Sequence, residues 1–280
     1  MPVEISGWKP APFALQGETV FAIGDIHGCA AELKDLLGSI ATLAADRSDR
    51  GANRPSRLIY LGDLINRGPD SMGVLRLWAE DAHHRGVDRI DRIIGNHEIM
   101  FLLAARRAEH AGKAERMWLG DRIGGAATLG ELQRASQRPG APLDRAMLED
   151  ALGPGIVELL DRQQPHVRIG NTLFIHGGLD PHKDEREFLA RPWTDFTDAR
   201  WAWINRGFLD WPHGFRGTLV VHGHTPPALH REITGLDDPH LFEGDRLDLD
   251  GGSARTGIVT GAQIEDGRYR ILKSGTWRGA

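Results

Sequence analysis

The stretch VFAIGDIHGC (20–29) places an apolar run directly before a loop of glycine, aspartate and histidine. The same arrangement recurs at LIYLGDLINRG (58–68) and IDRIIGNHE (90–98), and two later runs end similarly, at LFIHGG (173–178) and LVVHGHTP (219–226). Each run has the length of a buried strand, and the adjacent glycines permit sharp turns. The sequence therefore predicts five strands whose carboxyl ends carry polar residues.

Helical patterns lie between these strands. Apolar residues recur at helical spacing within 33–43, 74–78 and 100–105, so the chain alternates strand and helix. In layered α/β folds, ligands bind just beyond the carboxyl ends of the strands. We therefore expect the five polar loops to converge on one point.

The chain has 280 residues, which is compatible with one large domain spanning 1–280. Residues 1–17 are predicted to be a lead-in, and 106–168, rich in Ala, Arg, Glu and Leu, a helical insertion without strands. Residues 246–273 alternate apolar and polar positions between Gly and Asp turns, which predicts a β-meander.

The composition excludes several classes of protein. Charged residues make up 26% of the chain and the net charge is -5, so the broad basic surface of a nucleic-acid-binding protein is absent. No apolar run reaches the ~18 residues of a membrane helix, and the first residues lack the pattern of a secretory signal. Cys29 is the single cysteine. We predict a cytoplasmic protein without nucleic-acid or membrane partners, and leave its oligomeric state open.

The polar residues of the loops suit metal chemistry. Imidazole, carboxylate and amide oxygen bind divalent Mn, Fe, Zn or Ni. Asp25 and His27 are two residues apart at a strand end, so both side chains project to the same side. Asp63 can bridge two cations with its two oxygens. Two cations ~3.5–4 Å apart can clamp the oxygens of an in-line displacement at phosphorus.

Together, GDIHG, GDLINRG, GNHE, HGG and GH resemble the motifs of the calcineurin-like metallophosphoesterase superfamily. The set is most similar to the phosphoprotein phosphatase branch, whose motifs are GDxHG, GDxxDRG, GNHE, HGG and GH. The segments WLGDRIGGAATL (118–129) and LDLDGGSARTG (247–257) also resemble bacterial members. The resemblance covers most of 19–260 and implies a four-layer α/β/β/α sandwich with two mixed sheets.

The resemblance also implies two divalent metal ions, Mn first and Fe, Zn or Ni as alternatives, and a bridging hydroxide as nucleophile. The implied ligands come from all five loops: Asp25, His27, Asp63, Asn96, His176 and His224. Asp63 serves both metals, Asp25 and His27 complete the first set, and the remaining three complete the second. His222, which precedes the last motif, is expected to be a buried or supporting histidine, with a direct metal bond as the alternative.

Several residues are implied to act on the substrate. His97 is the general acid, and Arg67 grips the phosphoryl oxygens through its bidentate fork, with Asn96 beside it. A second phosphate-binding arginine of the branch aligns with Asn205, and we assign its role to the neighbouring Arg206.

One position departs from the branch, since its Asp-Arg-Gly is replaced by Asn66-Arg67-Gly68. The branch aspartate orients the acid histidine. Asn66 is expected to accept a hydrogen bond from His97 through its amide oxygen but to supply no negative charge, a difference of about 1 kcal/mol. Three interpretations are open: a His97 that titrates lower, a preference for good leaving groups, or decayed activity.

The expected reaction is hydrolysis of phosphomonoesters, including phosphoserine and phosphothreonine in proteins. The first alternative is a pyrophosphohydrolase of diadenosine tetraphosphate or another nucleotide. A phosphodiesterase is disfavoured, because the last motif reads Gly223-His224-Thr225-Pro226 and lacks the second histidine common in diesterases. A catalytically silent phosphopeptide-binding module is the alternative from another class.

Overall fold

A computed structural model describes residues 2–49, 54–83, 85–106, 110–194 and 198–276. Its strands are β1 (Glu4–Ile5), β2 (Lys9–Pro10), β3 (Thr19–Ile23), β4 (Ser56–Tyr60), β5 (Arg89–Arg92), β6 (His166–Ile169), β7 (Thr172–Ile175), β8 (Leu219–His222), β9 (Arg246–Asp248), β10 (Val259–Glu265) and β11 (Arg268–Ser274). The larger sheet has the order β1-β11-β10-β3-β4-β5, with β2 also on β11, and the smaller has the order β6-β7-β8-β9.

Helices fill the connections between strands. The longer ones are α1 (Ala30–Asp49), α2 (Ser71–Ala79), α3 (Asn96–Arg106), α4 (Ala111–Trp118), α5 (Gly125–Ala135), α6 (Arg145–Leu152), α7 (Pro154–Asp161) and α10 (Pro227–Thr234). Shorter ones are α8 (Glu185–Leu189), α9 (Arg206–Leu209), α11 (Ser253–Thr256) and a 3₁₀ turn at Arg200–Ala202. In the described part of the chain, no helix is both long and apolar enough to cross a lipid bilayer.

Alternation along the strands produces the layers. In β3, Val20 and Ala22 belong to the cluster between the sheets, whereas Phe21 and Ile23 pack with the helices. Phe174 of β7 faces the same inter-sheet cluster from the smaller sheet. Successive side chains of a strand point to opposite faces, so each sheet buries one face on the other sheet and one under helices. The predicted four-layer fold with two mixed sheets is confirmed.

Three details of the sequence prediction need correction. The lead-in 1–17 contributes β1 and β2 to the larger sheet, and β6 begins at His166, inside the predicted insertion 106–168. The predicted meander 246–273 is divided, because β9 joins the smaller sheet while β10 and β11 form a hairpin in the larger one. These strands are two to four residues long except for the hairpin, too short for a period of two to be evident.

Strand direction brings the polar loops to one edge. β3, β4 and β5 run parallel, and so do β7, β8 and β9. The carboxyl ends of parallel strands lie at the same edge of a sheet. Each sheet therefore presents its loops together, and the stacked sheets bring the two sets face to face.

Candidate functional site

Hydrogen bonds join the loops of the two sheets. The backbone N–H of His224, from the smaller sheet, donates to Asp25 Oδ1 at 2.9 Å. In the other direction, His176 Nδ1 donates to the carbonyl of Leu61 at 2.9 Å. Within the larger sheet, the N–H of His27 donates to the Asp63 carbonyl at 2.9 Å. The loops thus converge, as the sequence predicts.

The first half of the site contains Asp25, His27 and Asp63, each at most 2% exposed. His27 Nδ1 donates to the Ile65 carbonyl at 3.0 Å, so Nε2 presents its lone pair. This Nε2 lies 3.8 Å from Asp25 Oδ2 and 3.7 Å from Asp63 Oδ2. An imidazole lone pair and two carboxylates therefore surround one point.

The second half contains Asp63, Asn96, His176 and His224. His176 Nε2 lies 3.3 Å from Asp63 Oδ1 and 3.0 Å from Asn96 Oδ1. His224 Nδ1 lies 3.1 Å from the same Asn96 oxygen, while its Nε2 donates to the Trp203 carbonyl at 3.2 Å. Asp63 thus turns one oxygen to each half of the site.

The chemistry of this donor set fits divalent cations. His176 donates through Nδ1 and His224 through Nε2, so the nitrogens that face Asn96 Oδ1 both present lone pairs, as does the amide oxygen. Three acceptors at such distances repel one another unless a positive charge lies among them. Two groups of possible ligands, His27, Asp63 and His97 in one and Asp63, His176 and His224 in the other, share Asp63. The residues therefore fit a pair of cations.

The charges of the two aspartates are coupled. Burial opposes the ionisation of Asp63, but where the His176 and His97 rings hold a second proton, their positive charges hold the pKa of Asp63 well below its usual range. Burial raises the pKa of Asp25 well above its usual range, and Asp250 and Asp63 add to that rise. Two buried carboxylates side by side disfavour each other's ionisation. Bound cations would remove this conflict, and their binding is expected to release protons.

Backbone strain concentrates at the site. Positive φ is uncommon for residues other than glycine and costs about 1–3 kcal/mol in sparsely populated regions. Half of the ten non-glycine residues with positive φ in the described ranges belong to the predicted site, namely His27, Asp63, Asn66, Arg67 and His224. The surrounding fold holds these side chains in positions that the isolated loops would not favour.

His97 differs from the sequence expectation in its hydrogen bond to Asn66. The indole N–H of Trp118 donates to Asn66 Oδ1 at 3.0 Å, and Asn66 Nδ2 lies 2.7 Å from His97 Nδ1. An amide NH₂ only donates, so His97 Nδ1 accepts, and a neutral ring carries its proton on Nε2, 3.7 Å from Asp63 Oδ2. The expectation that Asn66 accepts from His97 is wrong, because Trp118 occupies the amide oxygen.

A family model of calcineurin-like phosphoesterases matches residues 18–252. This chain belongs to the calcineurin-like phosphoesterase family. Members act as metal-dependent phosphoester hydrolases, which agrees with the cage of carboxylates and imidazoles built by the five loops.

Two relatives of this phosphoesterase are named bis(5'-nucleosyl)-tetraphosphatases. It is 24% identical to the asymmetrical bis(5'-nucleosyl)-tetraphosphatase PrpE of Oceanobacillus iheyensis, over 80% of this chain and 85% of the relative. It is 30% identical to the symmetrical bis(5'-nucleosyl)-tetraphosphatase of Ralstonia nicotianae, over 64% of this chain and 52% of the relative. The chain therefore spans about half the length of this second relative.

Solved structures agree on the fold. A candidate diadenosine tetraphosphatase superposes with a TM-score of 0.53 at 21% identity, covering 94% of this phosphoesterase and 96% of that chain. A cold-active protein-tyrosine phosphatase of a Shewanella species has the same TM-score of 0.53 at 16% identity, over 91% of this chain and 80% of its own. At these identities the likeness concerns the architecture alone.

The two predicted arginines lie in different settings. Arg67 is at the site, where Nη1 donates to His27 Nε2 at 2.8 Å and Nε and Nη2 donate to the Arg122 carbonyl at 3.3 and 3.1 Å. Arg206 instead forms an exposed ion pair with Glu232. Its role in phosphate binding stays a prediction, since the hydrogen bonds that it donates within the described residues are to Asn205 and Glu232.

His222 is fully buried. Its ring stacks edge-on against Phe208, with centroids 5.0 Å apart, and Nδ1 contacts the Gly223 carbonyl at 3.0 Å. Burial lowers the pKa of His222 to about 3. The burial agrees with the sequence expectation, and the choice between a supporting role and a metal bond stays a prediction.

Sequence reasoning missed Glu98, the last residue of GNHE. Its carboxylate is fully buried and accepts the backbone N–H groups of Asp63 at 2.8 Å, Leu64 at 2.9 Å, Ile65 at 3.4 Å and Gly95 at 3.2 Å. It therefore fixes the turn that presents Asp63. Glu98 belongs to the GNHE motif, and this was the signal available in the sequence. The sequence does not show that its carboxylate binds backbone N–H groups, three of which belong to the loop of Asp63.

Proposed function

We propose that this phosphoesterase hydrolyses the phosphoanhydride chain of bis(5'-nucleosyl) tetraphosphates with two divalent cations held by residues of its five loops. The proposed ligands are Asp25, His27, Asp63, Asn96, His176 and His224. When bound, the cations would supply Lewis-acid stabilisation of charge on the phosphoryl oxygens and lower the pKa of an attacking water. Manganese is the first candidate, with iron, zinc and nickel as alternatives.

The protein's own residues have separate tasks. Arg67 carries the charge and planar fork that bind phosphoryl oxygens, and the Arg122 carbonyl orients it from one side. His97 presents Nε2–H towards the metal ligands and can donate a hydrogen bond through it to an oxygen of the leaving group. Asn66 donates a hydrogen bond to His97 Nδ1 and so determines that Nε2 carries the ring proton.

The observation that carries the choice of substrate is the direction of the Asn66 amide. Its NH₂ faces His97 Nδ1 at 2.7 Å, where a carboxylate would support a positively charged ring. Expulsion of an alkoxide such as serine needs a strong acid, whereas the phosphate oxygen of a nucleotide is a far weaker base and leaves with little protonation. The site is therefore better suited to an anhydride than to phosphomonoesters or phosphoproteins, and the names of the relatives favour the same choice.

A substrate panel tests this proposal. Diadenosine tetraphosphate, p-nitrophenyl phosphate and a phosphoserine peptide are assayed side by side with Mn²⁺, Ni²⁺, Zn²⁺ and Mg²⁺ in turn. We expect the highest kcat/KM for the dinucleotide, and chromatography of the nucleotides distinguishes symmetrical from asymmetrical cleavage. If the phosphopeptide is hydrolysed faster than the dinucleotide, the proposal is wrong and a protein phosphatase is the better assignment.

Asn66→Asp is expected to shift the preference towards monoesters. A carboxylate can accept from both Trp118 Nε1 and a protonated His97 Nδ1, and a charge-assisted bond is stronger than a neutral one by about 1 kcal/mol. The ratio of kcat/KM for the phosphoserine peptide to that for diadenosine tetraphosphate should rise about fivefold. Gln137→Glu, which makes the same change of amide to carboxylate at an exposed position after α5, is the control. An equal ratio in both variants would contradict the role given to Asn66.

A further inference from the structure

The segment 118–131 of the helical insertion packs on the catalytic turn 66–72. At one end, Arg67 donates to the Arg122 carbonyl through Nε and Nη2 at 3.3 and 3.1 Å. Gly124 packs closely against Arg67, since a Cβ at position 124 would lie 3.1 Å from Arg67 Cγ. The insertion therefore helps to hold the catalytic turn in place.

Further contacts fix the backbone of the same turn. The N–H of Asn66 donates to Thr128 Oγ1 at 3.2 Å, and the Thr128 and Ser71 hydroxyls lie 2.9 Å apart. The carboxylate of Glu131 accepts the N–H groups of Ser71 at 3.2 Å and Met72 at 2.9 Å. These hydrogen bonds fix the backbone of Asn66. They leave undetermined which way its side-chain amide is turned.

Trp118 sets that orientation. Its ring is fully buried between Phe101, with centroids 5.4 Å apart, and Gly125, where a Cβ would lie 2.6 Å from the indole. The indole N–H can only donate, and it points at Asn66 Oδ1 at 3.0 Å. The reverse amide orientation would place the Asn66 NH₂ against this N–H in a site that is 0% exposed.

We propose that Trp118 is a positioning residue that selects the Nε2–H tautomer of His97 through Asn66. The indole N–H holds the amide oxygen, the amide NH₂ then faces His97 Nδ1 at 2.7 Å, and the ring proton is left on Nε2, facing the cage. The proposal rests on the hydrogen-bond donor role given to the Nε2–H of His97 under the proposed function. The tautomer itself is measured without substrate, so it can fail or succeed independently of which phosphoester is cleaved.

Trp118→Phe removes the indole N–H and keeps an aromatic ring. The amide of Asn66 is then free to turn its oxygen to His97, and the proton should shift from Nε2 to Nδ1. The measurement is a long-range ¹H–¹⁵N correlation spectrum of the full-length protein labelled with ¹⁵N-histidine, in Mg²⁺, which is diamagnetic. The chain has 13 histidines, and a His97→Gln spectrum identifies the His97 signals.

A matched control is Trp78→Phe. Trp78 is also fully buried, but its indole nitrogen has no hydrogen-bond partner among the residues that the structure describes, so the same loss of volume should leave the His97 tautomer unchanged. In the Asn66→Asp background the carboxylate accepts from His97 with or without the indole, so Trp118→Phe should have no effect there. Retention of the Nε2 proton by the single variant Trp118→Phe, with native circular dichroism, would overturn the proposal. A tautomer that shifts equally in Trp78→Phe would overturn it as well, by showing a general effect of core volume.

Discussion

Asp63→Asn is expected to lower kcat/KM for every phosphoester by at least about 1,000-fold, or about 4 kcal/mol of transition-state stabilisation. Asp63 is the residue common to both groups of possible ligands, with Oδ1 3.3 Å from His176 Nε2 and Oδ2 3.7 Å from His27 Nε2. The amide keeps the shape but removes one negative charge and turns one oxygen into a donor. Both cation positions are damaged at once, whereas loss of any other ligand damages one.

The measurement combines kinetics with metal content after gel filtration. Fewer than two metal ions per chain and the expected loss of rate should appear together in Asp63→Asn. Asp121→Asn, which removes an exposed carboxylate from the loop after α4, should retain both ions and the wild-type rate. A fully active Asp63→Asn variant with two bound ions would remove the basis for a bridging ligand.

The parts of the site that the sequence revealed are those built by local pattern. Asp25, His27 and Asp63 follow apolar strands directly, so finding the strands places the ligands at the carboxyl ends. Parallel pairing of β3 with β4 and of β7 with β8 then brings them together. The α/β class and the gathering of the loops could therefore be inferred from the pattern, whereas the four-layer arrangement was implied by the family resemblance.

The parts that the sequence did not reveal depend on contacts between distant segments. Trp118 and Asn66 are 52 residues apart, and their hydrogen bond decides which end of an amide faces His97. The sequence shows that residue 66 is asparagine, but no sequence pattern specifies the orientation of its amide. The sequence prediction considered only the preferred acceptor role of Asn66 and lacked the competing donor.

The pairing of very short strands was also not evident. β9 spans three residues at the start of the predicted meander, yet it pairs with β8 in the smaller sheet and places Asp248 beside His222. Strands of this length are specified by the neighbouring strand rather than by their own propensity. The larger sheet's edge strands β1 and β2 were missed for the same reason.

Glu98→Gln is expected to destabilise the protein by about 3 kcal/mol and to lower the melting temperature by roughly 6–12 °C. The Glu98 carboxylate accepts backbone N–H groups through both oxygens, Oε1 from Leu64 and Ile65, and Oε2 from Asp63 and Gly95. A glutamine of the same size offers one oxygen and one NH₂. Two buried N–H groups must then face a donor, and each unsatisfied group costs about 1–3 kcal/mol.

Glu158→Gln is the matched control for this prediction, because Glu158 is exposed and pairs with Arg162 one helical turn away, where such a pair contributes little. Thermal unfolding followed by calorimetry, with and without Mn²⁺, compares the two variants. Activity should fall in Glu98→Gln as well, since the Asp63 N–H that it holds fixes the turn carrying the shared ligand. If both variants melt within a degree of each other, the four hydrogen bonds contribute no stability. The strained φ of 51° at Asp63 must then be maintained by other contacts, such as the hydrogen bond that the His97 N–H donates to Asp63 Oδ1 at 3.0 Å.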